Sequence, residues 1–121
     1  MNSKRYNILL DNKIIGWTLL ENADASMGVV FGRIIFNDVK FGYDFFNGYC
    51  QRNNIEIITD FPDDNLIATA NLTSLKIINP AGTEITGIGA NIEGTDQDSF
   101  VVNILGIPYP FFANEFPHHL K

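Results

Sequence analysis

Near the start of the chain, apolar and polar positions are arranged regularly enough to define its first element. Asn7-Ile8-Leu9-Leu10 and Ile14-Ile15-Gly16-Trp17-Thr18-Leu19 flank the polar pair Asp11-Asn12, a pattern of two antiparallel strands joined by a tight turn. A two-residue loop pairs Leu10 with Lys13, Ile8 with Ile15 and Tyr6 with Trp17. Side chains alternate between faces along a strand, so this register gathers Tyr6, Ile8, Ile15, Trp17 and Leu19 on one core face.

Beyond a polar loop at residues 21–26, Met27 to Phe36 reads as a third strand, and Asn37-Asp38 offers side chains able to cap a helix. Phe41, Phe45, Phe46, Tyr49 and Cys50 then recur at three- and four-residue intervals, which predicts a short amphipathic helix. Ile55-Glu56-Ile57-Ile58 predicts a fourth strand, and Phe61 to Asn65 a surface loop. Leu75 to Ile78 and Thr83 to Ile85 bracket Asn79-Pro80-Ala81-Gly82, the composition of a three-residue hairpin loop with a glycine bulge. Thr86 to Ile92 alternates but is broken by Gly87 and Gly89, predicting a bent strand, and Phe100 to Leu105 is a strong final one. The tail from Pro108 to Pro117 holds three prolines and three phenylalanines, so it is excluded from a sheet centre and suited to lie across the core as an aromatic strap. The sum is an α+β, mainly β domain: about eight mostly antiparallel strands in a sandwich or open barrel, with one short helix, over residues 1–121.

Composition narrows the classes. Sixteen isoleucines against seven alanines favour pleated sheet over helix. One cysteine excludes an internal disulfide framework. The first residues run directly into a strand pattern, without the apolar stretch of a secretory signal or a membrane span, so the expected location is cytoplasmic. In that compartment the triplet Asn71-Leu72-Thr73 is not a glycosylation site. A net charge of −6 has the wrong sign for a nucleic-acid backbone. It is also uneven: residues 1–52 carry 6 basic and 5 acidic side chains, whereas residues 53–121 carry 2 basic and 9 acidic. Acidic turns keep strand ends solvated, and they also attract a basic protein partner.

Two segments carry a resemblance. Gly16-Trp17-Thr18-Leu19-Leu20-Glu21 continues through Asp24 to Met27-Gly28-Val29 and Gly32, and Leu105-Gly106-Ile107-Pro108-Tyr109-Pro110 precedes Phe116-Pro117-His118-His119. Together they resemble a group of small bacterial proteins with a Leu-Glu-x-x-Asp-x-x-Met-Gly-Val stretch and a Pro-Tyr-Pro…Phe-Pro-His-His ending. That resemblance implies a bacterial cytosolic domain and carries no mechanism with it. Where the group often has Asp-Gly at its first turn, this chain has Asp11-Asn12.

Candidate chemistry is sparse. Glu21 and Asp24, with Met27 and His118, are the residues a small enzyme or ligand-binding barrel would use; as structural residues, Glu21 ends a strand and Asp24 supports a turn. His118 and His119 are adjacent and point apart on an extended chain, which disfavours joint metal binding, and no ligand spacing matches a metal signature. The turns at Asp60 to Asn65 and Asp96 to Asp98 lack the downstream glutamate of a calcium loop. Cys50 falls on the apolar helix face, no serine sits in a nucleophile elbow, and the glycines after the strands open no helix. Phe111, Phe112 and Phe116 either fill the core edge or form an exposed anchor. No catalytic residue, cofactor or metal is therefore expected. The leading expectation is an immunity-type protein that binds a basic toxin domain through Asp60, Asp63, Asp64, Asp96 and Asp98. The alternatives are the enzyme or barrel and a structural homodimer formed through a strand edge.

Overall fold

The computed structural model describes residues 4–120. Among the described residues, ten strands form two antiparallel sheets, with two α-helices and no closed barrel. The smaller sheet has the order β5-β2-β1-β8, from Ile35–Phe36 (β5), Lys13–Thr18 (β2), Tyr6–Leu10 (β1) and Leu75–Ile78 (β8). The larger has the order β3-β4-β10-β9-β7-β6, from Asn22–Asp24 (β3), Val29–Arg33 (β4), Phe100–Leu105 (β10), Gly89–Thr95 (β9), Leu66–Thr69 (β7) and Ile57–Phe61 (β6). Both sheets bury their inner faces in one apolar core, to which helices α1 (Tyr43–Arg52) and α2 (Tyr109–Glu115) also contribute.

The first hairpin turns as expected, with Asp11 and Asn12 both in the left-handed region and Leu10 paired with Lys13. Its register then departs from expectation. A bulge between Ile8 and Leu9 pairs Leu9 with Ile14, Ile8 with Gly16 and Tyr6 with Thr18, displacing the expected Ile8–Ile15 and Tyr6–Trp17 pairs. The extra residue in β2 reverses the alternation beyond it. Tyr6, Ile8 and Ile15 stay in the core, but Thr18 and Leu20 are buried in place of Trp17 and Leu19. Trp17 instead lies under the Arg5 guanidinium, 4.0 Å from its ring centre.

The expected strand from Met27 to Phe36 is two strands in different sheets. Met27 closes a 3-10 turn, Ala25–Met27, and the chain crosses from β4 to β5 at buried Ile34, whose amide donates to the Phe100 carbonyl at 2.9 Å. The loop expected at residues 21–26 contains the short strand β3, and that expected at residues 61–65 contains the end of β6 and a 3-10 turn, Pro62–Asp64. Strand β7 is an addition to the expected strands, and the expected fourth strand runs from Ile57 rather than Ile55. The hairpin loop at Asn79 forms: the Asn79 amide donates to the Thr83 carbonyl at 2.9 Å, with Gly82 at φ +90°. Its returning arm is a single bridge, Ile78 to Glu84, rather than a strand.

Helix α1 buries Tyr43, Phe46, Tyr49 and Cys50, while Phe41 lies just outside it. Asn37-Asp38 does not cap it. Asp38 instead accepts the Lys40 amide at 2.9 Å, which holds its own turn. The strap at the end of the chain is helical, because Pro110 falls in the first turn, where a missing N–H costs nothing. Phe112 and Phe116 are fully buried and fill the core edge, whereas Phe111 is half-buried. No helix among the described residues is long and apolar enough to cross a membrane.

Candidate functional site

Antiparallel pairing brings the acidic turns together. Leu66 at the start of β7 is opposite Thr95 at the end of β9, so the β6–β7 and β9–β10 connections share one end of the larger sheet. The Thr95 hydroxyl donates to the Asp64 carbonyl at 2.8 Å, and the Asp96 amide to the Asn65 carbonyl at 3.2 Å. The five aspartates nevertheless serve two purposes. Asp96 accepts the Tyr43 amide at 2.8 Å and so caps α1 from 53 residues away. Asp60 accepts the Tyr43 hydroxyl and, at 3.1 Å, the Asn47 side-chain amide. These two carboxylates lock the helix onto the sheet end. All five aspartates are exposed, and Asp44 lies in the first turn of α1, which begins in this region.

The Tyr43 hydroxyl is pushed up to about 12, first by its hydrogen bond to Asp60, then by burial and by the charges of Asp60 and Asp44. Beside these turns lies a cleft of about 280 Å³. Phe36, Phe41 and Phe100 give it aromatic surface, and Arg33, Asp96 and Asp98 also line it. Phe36 packs 5.7 Å from Phe41 and 5.8 Å from Phe100, ring centre to ring centre, so the aromatic lining is itself braced.

The other candidate residues lie where the two resemblance-carrying segments meet. The Gly28 carbonyl accepts the Ile107 amide at 2.9 Å, and a His119 ring nitrogen lies 2.9 Å from the Leu20 carbonyl. Glu21 accepts the Arg33 amide at 3.0 Å, and Asp24 accepts the Ser26 hydroxyl at 2.8 Å. The Glu21 contact joins two backbone segments, whereas the Asp24 contact stays within its own turn. Gly32 is required beside Glu21, since an added Cβ would come within 2.5 Å of the Glu21 Oε1 and 2.4 Å of the Thr18 hydroxyl. The Met27 side chain is exposed. His118 packs on Phe116 and His119, and burial first, then the neighbouring His119 and Lys4 charges, lowers its pKa from the ordinary histidine value. Glu21 and Asp24 thus make separate contacts, and His119, not His118, reaches Leu20.

Sequence reasoning overlooked two polar centres. Glu115 accepts the Lys4 ammonium at 3.1 Å, the Tyr6 hydroxyl at 2.9 Å and the Asn79 side-chain amide at 3.0 Å, tying α2 to β1 and to the hairpin loop after β8. Tyr49 donates to Asp11 at 3.1 Å and also meets the Ser74 hydroxyl, joining α1 to the first turn. Neither had a local signal, since each assembles from residues far apart in the chain. Burial raises the Cys50 thiol pKa, which suits a packed rather than reactive sulfur. No group of three or more His, Cys, Asp or Glu side chains able to hold a metal ion occurs among the described residues.

The chain matches no family model, no curated protein and no solved structure.

Proposed function

We propose that this chain is a protein-binding module of the immunity type, which covers a basic partner domain with the acidic end of its larger sheet. The observation that carries this reading is the convergence of the Asp60–Asp64 and Asp96–Asp98 segments through the Thr95–Asp64 and Asp96–Asn65 hydrogen bonds. A rigid acidic surface speeds the approach of a basic partner and favours correct registration. The cleft lined by Phe36, Phe41 and Phe100 adds a place for one anchoring side chain at the edge of that surface. Asp63, Asp64 and Asp98 are the contact carboxylates, and Asp60 and Asp96 hold their scaffold.

The test is co-purification with the product of the adjacent gene, followed by stopped-flow association of that complex. Substituting Asp63, Asp64 and Asp98 together by Lys is expected to slow association by roughly 10-fold or more at low salt. An unchanged rate at low salt refutes this placement of the binding surface.

A further inference from the structure

We propose that the chain ends in an acid-sensitive latch: the turn Pro117–Leu120 holds the junction between the two sheets at Leu20 and lets go of it when His118 and His119 are both charged. The two histidines follow α2 on a 3-10 turn, not on an extended chain, so their rings lie side by side instead of pointing apart. The ring centres are 4.2 Å from each other, and both rings rest on fully buried Phe116, at 6.2 Å and 5.9 Å.

The turn holds a strained point. Leu20 lies between the end of β2 in the smaller sheet and the start of β3 in the larger one. It is fully buried at φ +46°, a left-handed conformation that a branched side chain adopts only where its surroundings compel it. The Leu20 amide donates to the Thr18 hydroxyl at 3.2 Å, and the Leu20 carbonyl meets a ring nitrogen of His119 at 2.9 Å. A carbonyl only accepts, so that nitrogen carries the hydrogen. The bond survives protonation of His119, because a charged imidazole donates from both nitrogens. Acid therefore acts through repulsion within the pair and not through loss of this bond.

The charges around the pair are unbalanced. A proton on His118 faces His119, Lys4 on the segment leading into β1 and the amino terminus, against the carboxylate of Glu115 on α2. Glu115 is already engaged by Lys4, Tyr6 and Asn79. Burial first, and then these positive neighbours, lower His118 below the ordinary histidine value of 6.5. The docked turn thus binds protons less readily than the released one. What neutral His118 contributes to docking is complete above pH 6.5 and is lost as the pH falls through the lowered value. Release uncovers the side of Phe116 on which the imidazoles rest, and it frees Leu20 to leave its left-handed conformation.

The experiment is an NMR titration of the full chain from about pH 8 to about pH 5, the span over which histidine charges. Ring resonances follow each histidine. Exchange of the His119 amide, which donates to the Phe116 carbonyl at 3.0 Å, follows opening of the turn. In the parent, His118 is expected to titrate below 6.5, and protection of the His119 amide, corrected for the intrinsic rate, to fall with the pH. His118→Gln keeps a polar side chain without the charge, and the fall is expected to disappear. His119→Gln is expected to move His118 back towards 6.5. The parent titration decides the outcome if either variant perturbs folding. A His118 that titrates at 6.5 or above overturns the proposal. So does protection that stays constant across the titration, as a packing role alone would leave it, or the same fall in His118→Gln.

Discussion

Replacing Gly28 by alanine tests whether the joint between the two ends of the chain bears stability. Gly28 sits in the left-handed region at φ +65°, and its carbonyl accepts the Ile107 amide at 2.9 Å. An alanine there costs about 1–2 kcal/mol in backbone strain. Its Cβ would also lie 2.7 Å from the Ile107 carbonyl oxygen, which is backbone and cannot swing aside. Separating the two segments weakens the Gly28–Ile107 hydrogen bond, a further loss of about 0.5–1.5 kcal/mol. The expected total is therefore about 1.5–3.5 kcal/mol. Gly82 provides the control, with φ +90° but nothing within 4 Å of an added Cβ. Gly82→Ala should lose only the strain component, about 1–2 kcal/mol. Urea unfolding of both variants, extrapolated linearly to water, measures the difference. Equal losses, or a larger loss at Gly82, would falsify the claim that the Gly28–Ile107 contact contributes to stability.

Two further outcomes follow from the acidic end. Asp96→Ala should destabilise the fold by about 1 kcal/mol through loss of the α1 cap, while Asp98→Ala should stay within about 0.5 kcal/mol of the parent; the same urea titration separates them. Tyr43 should ionise near 12 in an alkaline absorbance titration, and Asp60→Asn should return it towards 10. Because the folded chain holds that proton more tightly than the unfolded one, the stability contributed by Tyr43 is present below pH 10 and is lost as pH rises towards 12. A Tyr43 that ionises near 10 would show that its bond to Asp60 does not persist in solution.

The sequence was most legible where a turn or a strand is specified locally. Asp11-Asn12, the Asn79–Thr83 loop and Phe100–Leu105 all formed where the pattern placed them, because short-range backbone preference and burial agree there. It misled where tertiary contacts decide. A one-residue bulge after the first turn was enough to move Trp17 away from the expected core face and bring Thr18 in. The cap of α1 arrives from Asp96, and no local reading of Asn37-Asp38 could have found it. Strand β7 is four residues, Leu66-Ile67-Ala68-Thr69, too short to show a period. The acidic character of the second half was legible as composition, but its convergence at one sheet end depended on the pairing of Leu66 with Thr95.

The interlocking of the chain's two ends also sets the order of events during synthesis. Strand β1 pairs with β8, and β4 pairs with β10, so neither sheet can close until residues made late have emerged. Phe112, Phe116 and Glu115 then seal a core to which Tyr6 and Ile8 already belong. The smaller sheet therefore waits for β8 and the larger for β10, and contacts of such long sequence separation form slowly. An aborted product ending before α2 would leave its aromatic and isoleucine-rich inner faces open to water, and clearing such fragments falls to chaperones and proteases.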